Sequence, residues 1–219
     1  MIGAKPSDKR ANRVGLIGLI GVRLVRTLIR LVGLFFDTKQ FLSQMITIEQ
    51  AQVSQASDIA RLIMEAMNHE CCLYFAGEEH GLSGFHQLMT DLVCRADSQY
   101  SYLNTLVDLN AQRDVVGVCT SYDGAHLHQL RVAFVQGCLA RFNRDFGNMD
   151  DETEAGELYV DSLAVDARYR GKGIAKDLLR ATVQRARLLQ LPAVGLLVDK
   201  GNPKAERLYT SVGFQYVDD

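Results

Sequence analysis

The spacing of apolar residues changes from strand-like to helix-like between residues 157 and 190, and this change is the clearest structural signal in the chain. Residues 158–165 are rich in large apolar and β-branched residues, which predicts a buried strand. From Lys172 to Gln190 the apolar residues fall on one helical face and most of the basic residues on the other. The pattern therefore predicts a strand, a turn that contains Gly171 and Gly173, and a helix.

Shorter apolar patterns predict the other elements of the chain. Strands are expected at 46–49, 100–107, 115–122, 193–198 and 214–217. Helices are expected to begin near Ser54 and at Gly81, Ala125 and Asn202. Asn202 is a natural N-cap for the last of these helices, Pro203 suits its first position, and Gly213 suits its end.

The first 44 residues differ from the rest of the chain in charge. They carry eight Lys or Arg residues against two Asp residues, whereas the whole chain has a net charge of −2, so the remainder is acidic. Arg23, Arg26 and Arg30 interrupt the apolar stretch too often for a membrane span of about 20 residues. We expect a basic extension at 1–44 that is poorly ordered, not native to the protein, or an amphipathic helix at a membrane surface, and that is dispensable to a domain at 45–219.

Composition excludes several functional classes. The five cysteines are an odd number without zinc-site spacing, so neither a disulfide framework nor a metal site is predicted and a reduced cytoplasmic setting is expected. The slightly acidic net charge argues against a nucleic-acid partner. An acidic run at 150–154 has two open interpretations, a solvated loop or a negative rim that attracts an amine.

The glycine-containing turn after the central strand has the features of an anion site. Free N–H groups in the first turn of a helix and the helix dipole favour a phosphate, and Gly171 and Gly173 allow the backbone to approach it closely. A dinucleotide fingerprint fails because Lys176 stands where Gly or Ala is needed, and no P-loop pattern is present. The segment Arg168-Tyr-Arg-Gly-Lys-Gly173 instead matches Arg/Gln-x-x-Gly-x-Gly/Ala without a gap.

That motif, together with the segment 202–214, resembles the GNAT superfamily of acyl-CoA N-acyltransferases. The resemblance covers roughly Met45 to the C-terminus and is specific from Glu157 onward. It implies an α/β (α+β) fold with a mixed central sheet flanked by helices and with acyl-CoA bound in the splay between the fourth and fifth strands. The family commonly has one further strand after 214–217, so we expect this sheet to lack a strand or the chain to be truncated.

The resemblance also assigns residues to the binding of acetyl-CoA, the expected acyl donor. Implied cofactor-binding positions are the backbone of the central strand, the turn with the helix start, and the cap of the last helix: Leu163, Ala164, Val165, Arg168, Arg170, Gly171, Lys172, Gly173, Ile174, Ala175 and Asn202. Tyr209 occupies the position from which the family donates a proton to the CoA thiolate. Glu157 and its rival Asp161 are the candidates for the general base.

The function expected from this resemblance is acetyl transfer from acetyl-CoA to a primary amine of a small molecule or a protein. A non-catalytic acyl-CoA-binding module is the alternative, because the absence of a last strand would leave the acceptor side incomplete. No metal is expected, a homodimer is compatible with the sequence, and contact with a membrane is expected only through residues 1–44.

Overall fold

The fold is built around one seven-stranded sheet. A computed structural model describes residues 11–17, 47–199 and 201–218. Its strands are β1 (Ala11–Ile17), β2 (Thr47–Gln50), β3 (Thr105–Leu109), β4 (Val115–Asp123), β5 (Glu157–Val165), β6 (Ala193–Asp199) and β7 (Gln215–Asp218). They are arranged in the order β2-β3-β4-β5-β6-β1-β7. This mixed sheet confirms the predicted fold class.

Helices cover both faces of the sheet. The helices are α1 (Ala56–Met67), α2 (His69–Ala76), α3 (Gly81–Cys94), α4 (Leu127–Phe142), α5 (Ile174–Leu188) and α6 (Pro203–Val212). A core of residues from α1 to α4 packs on one face, with Phe85, Phe134 and Ile63 fully buried in it. A second core on the opposite face contains α5 and α6. The sheet is therefore buried on both sides, and none of the described helices is long and apolar enough to cross a membrane.

The parallel pair β5 and β6 separates partway along its length. Residues 157–160 pair with residues 193–196, and the pairing ends there although both strands continue. On its other side β5 pairs with β4, where Thr120 faces Ser162 and Ser121 faces Val160. Asp161 is therefore an extra, bulged residue of β5, since two residues of β5 span one step of β4. Bulge and separation coincide at Asp161, as expected from the implied splay between these strands.

Residues 11–17 differ from the expectation for the basic extension. They form β1, which pairs antiparallel with β6 from Ala11↔Asp199 to Ile17↔Ala193 and with β7 on its other side. The sheet, which the sequence analysis expected to lack a strand, therefore contains one from the N-terminal part of the chain between β6 and β7. Sequence alone could not reveal this, because pairing partners so far apart leave no local signal. The amphipathic helix considered around Arg23–Leu31 lies outside the described residues.

Two local elements differ from the predictions. The strand expected at 100–107 begins only at Thr105, because Tyr102–Asn104 forms a 3₁₀ turn capped by the Ser101 side chain. Residues 69–76 form a separate helix, α2, where the sequence analysis predicted none. Asn68 begins this helix by accepting a hydrogen bond from the Cys71 N–H. Both side-chain caps use polar residues that compete with regular backbone pairing.

Candidate active site

The turn between β5 and α5 presents unpaired backbone N–H groups. Gly171 and Gly173 have φ values of +79° and +91°, a region that L side chains rarely adopt. A Cβ placed on Gly171 would meet no atom within 4 Å, so a ligand can reach the backbone there. The helix α5 begins with hydrogen bonds from Lys176 and Asp177 to the Gly173 carbonyl. The N–H groups just before Lys176, including those of Ile174 and Ala175, therefore lie outside the α-helical hydrogen-bond ladder and can bind an anion.

The side chains of Arg168 and Arg170 point into ion pairs within the protein. The Arg168 guanidinium donates to both Asp166 oxygens, at 3.0 and 2.9 Å. Arg170 donates from Nε to the Val165 carbonyl at 2.8 Å and from Nη2 to Glu65 at 3.1 Å. Both arginines thus shape the turn, and both side chains remain more than half exposed, so their expected role in cofactor binding stays a prediction. Lys172 Nζ lies 4.7 Å from the centre of the Tyr169 ring.

An alternating chain of charges fixes this turn to α1. Arg61 on α1 contacts Asp166 at 3.4 Å and Glu65 at 2.9 Å, so it links the partners of both turn arginines. Hydrogen bonds from the Arg168 side chain and N–H lower the pKa of Asp166 well below its ordinary value. The carboxylate is therefore ionised at neutral pH, and the charged pairs hold the turn in one conformation.

Asp161, at the bulge, is held by three hydrogen-bond donors. Gln99 Nε2 and Tyr122 Oη donate to Oδ2 at 3.1 and 3.3 Å, and Ser162 Oγ donates to Oδ1 at 2.8 Å. Burial nevertheless raises the pKa of Asp161, because the cost of desolvating the carboxylate exceeds what the three donors recover. A carboxylate with a raised pKa at the point where two strands separate has the properties of a general base.

Polar groups from three other segments converge on Asp161. Burial and the negative charge of Asp161 raise the pKa of Glu152 to about 7, while the Arg131 guanidinium lowers it. The same two carboxylates raise the pKa of Tyr159, although burial of its hydroxyl is the larger cause. The rings of Tyr159 and Tyr122 pack edge to face, with centroids 5.7 Å apart. The site on this face of the sheet is therefore aromatic and negatively charged.

Glu157, the other candidate base, lies four residues back along β5, or about 13 Å at 3.3 Å per residue. Its carboxylate is buried, accepts a hydrogen bond of 2.6 Å from Thr153 Oγ1, and packs against the backbone of Gly195. A Cβ on Gly195 would stand 2.0 Å from Glu157 Oε2, so that glycine is needed to accommodate the carboxylate. Glu157 thus lies where β5 and β6 are still paired, away from the separation.

Tyr209 lies on the opposite face of the sheet from Asp161. It is a half-buried member of the α5–α6 core, and its ring centroid lies 5.9 Å from that of Phe214. Burial, with a smaller effect from Cys119, raises its pKa to about 12. Tyr209 packs against the same core as Leu163, which belongs to the unpaired part of β5 and faces Cys119 across the β4–β5 ladder.

The remaining predicted positions belong to the end of β5 and to the start of α6. Leu163, Ala164 and Val165 form the part of β5 beyond its pairing with β6. Asn202 caps α6 by accepting a hydrogen bond from the Ala205 N–H at 3.1 Å. Among the described residues, no group of three or more His, Cys, Asp or Glu side chains is arranged to hold a metal ion.

The residues that sequence analysis missed are those around Asp161 and those that lock the turn: Gln99, Tyr122, Arg131, Tyr159, Arg61, Glu65 and Asp166. None of them belongs to a motif. The acidic run at 150–154 was the one available signal. The pKa of Glu152, in that run, is raised by burial and then by the charge of Asp161, and the choice between a solvated loop and a negative rim stays a prediction.

Comparison with known proteins identifies the family. The sequence profile of the acetyltransferase (GNAT) family matches residues 82–214, which is more than half of the chain. The protein therefore belongs to the GNAT acetyltransferase family. A solved acetyltransferase structure superimposes with a TM-score of 0.63 at 27% identity, covering 78% of this chain and 90% of the other.

Curated relatives share a shorter stretch with this chain. The spermine/spermidine N(1)-acetyltransferase of Bacillus subtilis (strain 168) is 35% identical over 72 residues, 32% of this chain and 47% of that protein. The mycothiol acetyltransferase of Nocardiopsis dassonvillei is 38% identical over 74 residues, 34% of this chain and 22% of that protein. The chain thus spans less than half the length of these relatives in the matched segment. Their names refer to different acceptors, so a match of this size does not specify the acceptor.

Proposed function

We propose that the chain is an acetyl-CoA-dependent N-acetyltransferase that acetylates a primary amine, with Asp161 as general base and Tyr209 as the donor to the departing thiolate. The separation of β5 from β6 at the bulged Asp161, directly before an anion-binding helix start, is the observation that carries this proposal. It supplies a slot for the thioester, a base at the slot, and a phosphate site at its far end.

The donor would bind along the unpaired edge of β5. The Asp166 N–H donates to Val116 of β4, so by strand alternation the peptide groups of Leu163 and Val165 point the opposite way, into the separation. Arg170 already occupies the Val165 carbonyl. The Leu163 N–H and carbonyl and the Val165 N–H are therefore the groups offered to the amides of the pantetheine arm, with the pyrophosphate at residues 171–175.

The reaction needs a proton acceptor and a hydrogen-bond donor on opposite sides of β5. The amine nitrogen forms a bond to the acetyl carbon, the carbon–sulfur bond breaks with its electron pair going to sulfur, and the amine loses a proton. Asp161 receives that proton on the face that carries α1 to α4. Tyr209 donates a hydrogen bond to the sulfur from the face that carries α5 and α6, where the negative charge develops.

Asp161 is favoured over Glu157 as the base for two reasons. Asp161 lies where the strands have separated, whereas Glu157 lies where they are paired. The raised pKa of Asp161 matches a proton acceptor better, since a weakly acidic carboxyl group is a stronger base. Glu157 is held by Thr153 and packed against Gly195, which suits a structural role.

The test compares Asp161→Asn with Glu157→Gln. CoA-thiol release from acetyl-CoA is measured against a panel of primary amines, with acetyl-CoA affinity measured by calorimetry. We expect Asp161→Asn to lose roughly 10² to 10⁴ in kcat and the rise of rate with pH, with acetyl-CoA affinity retained. A larger loss of kcat in Glu157→Gln would reassign the base. Tight acetyl-CoA binding without transfer to any amine would instead support a non-catalytic acyl-CoA-binding module.

A further inference from the structure

The carboxylate of Asp161 has a neighbour with an unused hydrogen-bond acceptor. Gln99 is 2% exposed, and its Nε2 donates to Asp161. Its Oε1, on the same amide group, has no hydrogen-bond partner within the described part of the chain. A buried amide oxygen without a donor is unusual in proteins, and this one stands beside the base. It is oriented to accept an N–H from a ligand bound at Asp161.

The position of Gln99 is fixed by its backbone. The Gln99 N–H donates to the Leu130 carbonyl at 3.1 Å, and Asn104 Nδ2 donates to the carbonyls of Ser98 and Gln99 at 3.1 and 3.3 Å. The Ser98 hydroxyl accepts a hydrogen bond from the Tyr100 N–H. The loop therefore holds its polar residue in place, which makes the unused oxygen a built feature of the site.

A second carboxyl group, that of Glu152 in the acidic run, lies near Asp161. The charge of Asp161 acts on Glu152, so the two groups are close in space, yet the Glu152 side chain is still 37% exposed and open to a ligand. Arg131 Nη2 lies 3.7 Å from Glu152 and its Nη1 lies 3.5 Å from Asp151. Nη1 also donates to the carbonyls of Met149 and Asp150.

Charge around Asp161 and Glu152 is unbalanced among the described residues. Three carboxyl groups, those of Asp151, Glu152 and Asp161, are associated with the single guanidinium of Arg131. His128 lies 3.1 Å from Asp151, at the outer end of the group, and its side chain is 81% exposed. The inner pair, Asp161 and Glu152, therefore has more carboxyl groups than cationic partners, and because the pKa of both is raised, a bound ammonium group would favour their ionised forms.

Three tyrosines surround the two carboxyl groups. Tyr100, Tyr122 and Tyr159 are buried, and burial is the largest cause of the raised pKa of each hydroxyl, with smaller contributions from the charges of both Asp161 and Glu152. The three hydroxyls thus converge on the two carboxylates. Faces of tyrosine rings attract ammonium groups, most strongly where water is excluded.

We propose that the acceptor is a diamine or polyamine, whose reacting nitrogen lies between Asp161 and the Gln99 Oε1 and whose second, cationic nitrogen pairs with Glu152. This inference rests on the proposed acetyl transfer and adds the substrate class. A monoamine would fill the first position and leave Glu152 without its ligand. Glu152 is then a specificity residue that binds substrate without taking part in proton transfer.

The test uses the full chain, acetyl-CoA, and two acceptors with the same four-carbon chain, 1,4-diaminobutane and butylamine. We expect the wild type to prefer the diamine by tenfold or more in kcat/KM. Glu152→Gln should raise KM for the diamine about tenfold, with kcat nearly unchanged and with butylamine kinetics within twofold of wild type. Asp150→Asn is the matched control, because it removes an exposed charge from the same acidic run and should leave both acceptors unaffected.

Equal use of the two amines by the wild type, or an equal loss on both in Glu152→Gln, would overturn the inference. Calorimetric titration of each amine into the CoA-bound protein separates this from failure of the proposed function. If neither amine is acetylated, the proposed function fails, and the subsite then stands only if the diamine binds more tightly than butylamine and Glu152→Gln removes that difference. Circular dichroism and unchanged acetyl-CoA affinity establish that the variant is folded.

Discussion

Tyr209→Phe separates hydrogen-bond donation to the thiolate from complete proton transfer. Burial raises the pKa of Tyr209 to about 12. A thiol has a pKa of about 8.5, so full transfer from Tyr209 to the sulfur is uphill by about 3.5 pKa units, or roughly 5 kcal/mol. A hydrogen bond to a charged group contributes about 1.5–3 kcal/mol. Its loss corresponds to about a 10- to 150-fold decrease in kcat.

The assay is CoA-thiol release under saturating acetyl-CoA and acceptor, with calorimetry for acetyl-CoA affinity. The Phe side chain keeps the ring that packs beside Phe214, so affinity and stability should change little. Tyr74→Phe is the control, since Tyr74 is half exposed on α2 and its ring contacts Phe75 of the other core. Turnover equal to wild type would refute a role for the hydroxyl. A loss far above 150-fold would mean that proton transfer is complete and that the bound thioester lowers the pKa of Tyr209.

Three further predictions concern the turn and the sheet. Gly173→Val should abolish acetyl-CoA binding in a folded protein, whereas Gly156→Val, at a φ of +103° outside the turn, should add backbone strain but leave calorimetric affinity intact. Because the folded pKa of Asp166 is depressed, its stabilising contribution is present at neutral pH and declines as pH falls below about 4. In urea unfolding, the difference in the free energy of unfolding between wild type and Asp166→Asn should become smaller in acid, and a difference that does not change with pH would contradict this. A chain beginning at Met45 lacks β1 and should unfold at lower urea concentration, while an unchanged midpoint would restore the expectation that residues 1–44 are dispensable.

Local patterns in the sequence were sufficient for the donor side of the molecule. The strand at 158–165, the two glycines and the helix after them are contiguous, so periodicity and a short motif predict them together. The acceptor side is assembled differently. Gln99, Tyr122 and Asp161 come from three separate segments and meet only in the folded sheet. The spacing of these residues along the chain does not predict that they are in contact.

The side chains of the turn show a different limit of sequence reasoning. A motif gives the presence of Arg168 and Arg170 but not their partners, and both partners are acidic residues that a motif does not include. Asp166 directly follows β5, and Glu65 lies about a hundred residues earlier on α1. Whether these guanidinium groups bind an anion or the two carboxylates depends on distances in the folded chain, and a motif does not give those distances.

Because β1 pairs with β6 and β7, it is synthesised long before its partners in the sheet. Ile17 pairs with Ala193 and Ala11 with Asp199, so the partners stand 176 to 188 positions apart. At about 5–20 residues per second, a ribosome needs roughly 10 to 40 seconds to supply them. During that interval the segment Val-Gly-Leu-Ile at 14–17 is an unpaired apolar strand, and such strands favour aggregation. A nascent chain that stalls before residue 193 would therefore be a natural client for chaperones.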